Sequence, residues 1–172
     1  MTLLGERAWK GYRHERSGWW RPALMVLAPV AAILFQVYIP LFFRHLTYLE
    51  LPLLVTVYFS LKRRNPTHGV LYGAVIGLVQ DSLSSNPLGM HGIVKTLVGY
   101  FAASVSVRFD VENPLIRFLL GFFFFFFHQF FYWVLARALL GQELEFVVGQ
   151  TLLFGLLNAA VCVPLFLLLD KI

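Results

Sequence analysis

Three side chains, Asp81, His91 and Lys95, have the types and spacing to do chemistry. An acid, an imidazole and an amine close together can pass protons, form ion pairs or line a polar pocket. His91 and Lys95 stand four residues apart, so a helix puts them on one face. Asp81 closes an apolar run, and the turn Ser84-Ser85-Asn86-Pro87-Leu88-Gly89 separates it from His91. So short a turn makes the flanking helices antiparallel neighbours, with Asp81 within reach of His91 or Lys95. A paired set that fixes the hairpin is the plain reading, since ionisable groups near hydrocarbon pair or snorkel. An outward-facing pocket lined by Asp81, His91 and Lys95 is the functional one. Acid–base catalysis finds no support, because no nucleophile constellation accompanies the three.

Other chemistries are poorly served. His14, His45, His68, His91 and His128 show no i, i+3 or i, i+4 pair and no matching Cys or carboxylate cluster, so no metal site is expected. The glycines match no phosphate loop or dinucleotide fingerprint, and no cofactor is expected. Proton-coupled transport asks for a deep carboxylate. Only Asp81 comes near, while Glu50, Glu143 and Glu145 read as solvated charges at helix ends.

The elements that must position these residues are apolar helices. Of the 172 residues 59% are hydrophobic and 13% charged, and mean hydropathy is +0.72; soluble domains carry roughly 25% charged residues. The expected fold is all-α, a polytopic membrane protein with six transmembrane helices at about 22–43, 46–61, 68–83, 90–107, 115–138 and 146–169. Residues 1–21 form a basic, aromatic segment ahead of the membrane domain, 22–172, and serve as a topogenic tail or a surface-lying partner dock. No cleavable signal peptide is evident. Lone Cys162, in an apolar run, reads as a small core residue.

Fourteen Lys and Arg against nine Asp and Glu give a net charge of +5. The cations cluster at the ends of apolar runs, which points to topology and anionic lipid and away from nucleic acid. Eleven of the fourteen fall on the side of the N-terminus, so both termini are expected in the cytoplasm, with the Asp81–Met90 turn outside.

Gly69, Gly73 and Gly77 recur every four residues and line one helix face, where another helix can approach closely. The six phenylalanines Phe122–Phe127 cover every face of their helix, so some meet lipid and others protein. His128, Gln129 and Asn158 are expected to hydrogen-bond across helices.

Gly73, Gly77, Leu78, Asp81, Gly89 and Gly92 follow G-x3-G-L-x2-D-x7-G-x2-G. This pattern resembles the signature of the rod shape-determining MreD family. The likeness is specific over residues 55–106 and topological elsewhere. It implies a non-catalytic scaffold in the bacterial inner membrane, bound to MreC within the cell-wall elongation complex that also holds MreB, RodA and a class B penicillin-binding transpeptidase. On this reading Gly69, Gly73, Gly77, Asp81, Gly89 and Gly92 are the partner-packing and motif residues, open to MreC or to a second copy in a homodimer. The family's fold is similar to the substrate-binding subunits of energy-coupling-factor transporters. A small-molecule binding subunit with a pocket at Asp81, His91 and Lys95 is therefore the alternative. A membrane enzyme acting on lipid substrates is the least supported.

Overall fold

Two Asn-Pro pairs start helices for a local reason. Asn65 and Asn113 each accept a hydrogen bond from the backbone N–H two residues on, 2.9 Å in both cases. The following proline fills a first-turn position where its missing N–H costs nothing. The computed structural model describes residues 20–39, 42, 47–84 and 87–171. Among them the regular structure is helical, with no strand: α1 (Trp20–Tyr38), α2 (Leu51–Arg63), α3 (Pro66–Leu83), α4 (Met90–Val105), α5 (Pro114–Leu140) and α6 (Val148–Lys171). The expected basic tail, up to residue 19, lies outside the described residues, as do His14, His45 and Asn86.

The all-α expectation holds, but the helices differ in reach. Among the described residues α5 and α6 are long and apolar enough to cross a membrane by themselves; α1 contributes a shorter apolar stretch, Met25–Tyr38. Expected as a span over 46–61, the second helix begins only at Leu51, with Glu50 as its N-cap and proline in its first turn. Its thirteen residues rise to only ~20 Å, short of the ~30 Å hydrocarbon layer.

The reason α2 can be short is its position. It touches every other helix, and Pro52 through Leu61 are all buried. Thr56 and Ser60, which would otherwise bring bare hydroxyls into that core, donate to the carbonyls of Pro52 and Thr56, 2.7 Å each. Around α2 the α3–α4 hairpin forms the tightest pair and the α5–α6 hairpin the next. Phe124 and Phe125 are buried while Phe123 is exposed, as a phenylalanine run covering all faces requires. The outward faces carry Leu71, Val75, Leu119, Leu153 and Leu156, an apolar exterior suited to lipid. Cys162 is buried at the α5–α6 seam, where its side chain occupies the space a Cβ at Gly121 would need.

Candidate functional site

A helix begins with N–H groups that its own backbone cannot satisfy. In α4 the N-cap is Gly89, at φ 97°, which has no side chain to accept from them. Asp81, in the last turn of α3, supplies the acceptor. Its Oδ2 takes the N–H of Gly89 at 3.0 Å and of Gly92 at 3.1 Å, and its Oδ1 takes that of His91 at 3.2 Å. The ring Nδ1 of His91 lies 2.7 Å from the same Oδ1. The carboxylate thus caps its neighbour across the hairpin, where the helix dipole also favours negative charge.

The glycines make this approach possible. A Cβ at Gly77 would lie 2.6 Å from Gly92 Cα, and one at Gly73 would lie 2.8 Å from Thr96 Cα. Gly69 and Gly99 face each other, and a Cβ on either would overlap the other's carbonyl. Gly92 in turn receives Leu78, whose Cδ2 would sit 2.9 Å from an added Cβ. The expected glycine face therefore meets α4 of the same chain, and a second protein reaching it would have to displace α4.

The three expected pocket residues part company. Asp81 and His91 are joined and buried, whereas Lys95 turns inward and is wholly buried. Its Nζ lies 3.8 Å from Glu50 Oε2 and 3.4 Å from His128 Nε2. The His91 ring stacks on His128, centroids 5.8 Å apart, and tilts against Tyr132 at 5.0 Å. Asn158 of α6 ties in the start of α2: its Oδ1 accepts the Glu50 N–H at 2.9 Å, and its Nδ2 donates to Tyr48 and Phe154 carbonyls at 2.8 and 2.9 Å. Five helices thus converge on one polar plug at this end of the bundle. Glu50, read from sequence as a solvated charge, is mostly buried and faces Lys95. Tyr132 had no sequence signal, and His128 and Asn158 are cross-helix polar groups as expected.

Such a plug is built to hold helices together. The Asp81 carboxylate is committed to Gly89 and the first turn of α4, and no group of three or more His, Cys, Asp or Glu that could hold a metal occurs among the described residues. Open space lies beside the plug: Tyr132 also lines a cleft of about 320 Å³ between α5 and α6, with Gln129, Trp133 and Phe154.

At the opposite end Asp170 gathers a second cluster. Tyr58 OH donates to its Oδ1 at 3.0 Å and Lys62 Nζ at 2.9 Å, while Arg117 Nη2 donates to its Oδ2 at 2.6 Å. Tyr58 and Lys62 share a face of α2, four positions apart, but no local spacing in the sequence links them to Arg117 or Asp170.

Comparison with known proteins gives one family. A family model described as rod shape-determining protein MreD matches residues 20–172. No curated protein and no solved structure matches the chain.

Proposed function

The chain belongs to the rod shape-determining MreD family, and from that membership we propose that it is a non-catalytic scaffold of the cell-wall elongation complex. In this reading it sits in the bacterial inner membrane with all six helices crossing and both termini in the cytoplasm. It binds MreC directly and, through it, supports peptidoglycan synthesis alongside MreB, RodA and a class B penicillin-binding transpeptidase.

The observation that carries the proposal is the fate of the motif residues. Gly73, Gly77, Asp81, Gly89 and Gly92 all lie along the α3–α4 seam, where they hold two helices in contact. None opens onto a reaction chamber. Their burial favours a rigid framework over the small-molecule binding subunit, whose pocket would need Asp81, His91 and Lys95 to be accessible.

The test is co-purification. The full chain, expressed in a rod-shaped bacterium depleted of its own MreD, is expected to restore rod shape and to retain MreC through affinity purification in mild detergent. Rescue without MreC retention would overturn the direct-binding part. Failure of the well-expressed, folded protein to restore shape would overturn the role in this complex. Turnover of a lipid-linked substrate by the purified protein alone would overturn its non-catalytic character.

A further inference from the structure

Arg117 sits at the Asp170 end, near the start of α5, with 5% of its surface exposed. Its Nε donates to the Val111 carbonyl at 2.7 Å and its Nη2 to Asp170 at 2.6 Å. Nη1 is buried without a protein acceptor. A buried guanidinium nitrogen left so is costly, which favours a small shift of the side chain toward an acceptor. Beside it opens a cavity of about 180 Å³, lined by Tyr58, Lys62, Arg64, Glu112, Arg117 and Asp170.

We propose that this cavity holds a phosphate group, carried by an anionic lipid headgroup or free in solution. Asp170 is the organiser, since both its oxygens are committed to Tyr58, Lys62 and Arg117. It fixes the two cations while leaving further N–H groups on each. Arg64 adds a third cation, against the carboxylates of Asp170 and Glu112. The lining thus carries one net positive charge and matches a phosphodiester, which carries one negative. Guanidinium and ammonium groups held together in this way suit a multi-oxygen anion. Leu61, Val111 and Phe166 supply an apolar flank for a lipid's glycerol and first methylenes. The lipid source rests on the proposed membrane topology, which puts Lys62, Arg63, Arg64 and Lys171 at the cytoplasmic leaflet.

Native mass spectrometry of the full-length protein in maltoside detergent tests this, with phosphatidylglycerol, phosphatidylcholine and inorganic phosphate as probes. Phosphatidylglycerol is expected to be retained at several-fold lower concentration than phosphatidylcholine, whose phosphodiester is the same but whose choline cation meets the cavity's net positive charge. Lys62→Gln and Arg64→Gln, both at exposed side chains, should each weaken retention about fivefold. Arg108→Gln, an exposed cation outside the cavity, should leave it unchanged. Displacement by millimolar inorganic phosphate would assign the site to the phosphate group alone; no displacement would assign it to the lipid-borne form. Equal retention of the two lipids, or selectivity unchanged in both cavity variants, would overturn the proposal. So would displacement of phosphatidylglycerol by an acidic peptide with no effect of phosphate, which would make the occupant a protein carboxylate. Cell shape is not read here, so failure would leave the scaffold reading standing.

Discussion

Lys95 Nζ lies 3.8 Å from Glu50 Oε2, deep at one end of the bundle, where α4 passes the first turn of α2. The two are unequally sheltered: Lys95 is fully buried, and 13% of the Glu50 side chain remains exposed. The Glu50 oxygen that faces Lys95 is itself buried, but an ammonium on a wholly buried side chain depends on its partner more than a carboxylate on a side chain that is partly exposed.

Unequal costs should follow from substitution. Glu50→Gln leaves a buried unpaired ammonium and is expected to cost about 3–5 kcal/mol. Lys95→Met leaves a carboxylate on a side chain that is 13% exposed and should cost less. The double variant should cost less than the sum of the two. Chemical unfolding in detergent, read by tryptophan fluorescence, measures all three; equal single costs would contradict the burial difference.

Asp81 should matter as an acceptor. Asp81→Asn keeps the shape but loses the charge and one acceptor oxygen, with an expected loss of ~1–3 kcal/mol. Amide hydrogen exchange at Gly89, His91 and Gly92 should speed up selectively, because these N–H groups bond to the carboxylate. Unchanged exchange there would show that α4 is capped by other means.

The glycines should separate into three classes. Gly73→Ala would drive a methyl into the Lys95–Thr96 backbone and should be the most damaging, prising α3 from α4. Gly89→Ala meets nothing within 4 Å, but its φ of 97° strains any L side chain, at ~1–2 kcal/mol. Gly149→Ala, in open space at ordinary helical φ, should be neutral or stabilising by up to ~1 kcal/mol. Melting temperatures in one detergent should rank the three in this order.

Topology can be read with a single thiol. Cys162 is buried and should resist maleimide in the folded protein, so a Cys162→Ala background is clean. In intact cells Leu88→Cys, at an exposed turn position, should react with an impermeant maleimide. Glu112→Cys, exposed at the opposite end, should react only after the membrane is opened. The reverse pattern would invert the proposed orientation.

The Asp81–His91 contact was legible in the chain itself because the partners are ten positions apart across a short turn. The spacing of Gly69, Gly73 and Gly77 likewise announced a face for close approach. It did not say that α4 of the same chain would occupy that face, since small-residue periodicity describes one surface and not its partner.

By itself, then, the sequence determined the local terms: helices where apolar runs are long, and an acid held beside the next helix. Tertiary structure alone decided that α2 is the enclosed centre, that Lys95 meets Glu50 and His128, and that Asp170 gathers Lys62 and Arg117 from 108 and 53 positions away. Such pairings depend on which helix packs against which. Patterns within one helix mark its apolar and polar sides, and only the packed bundle assigns each side a neighbour.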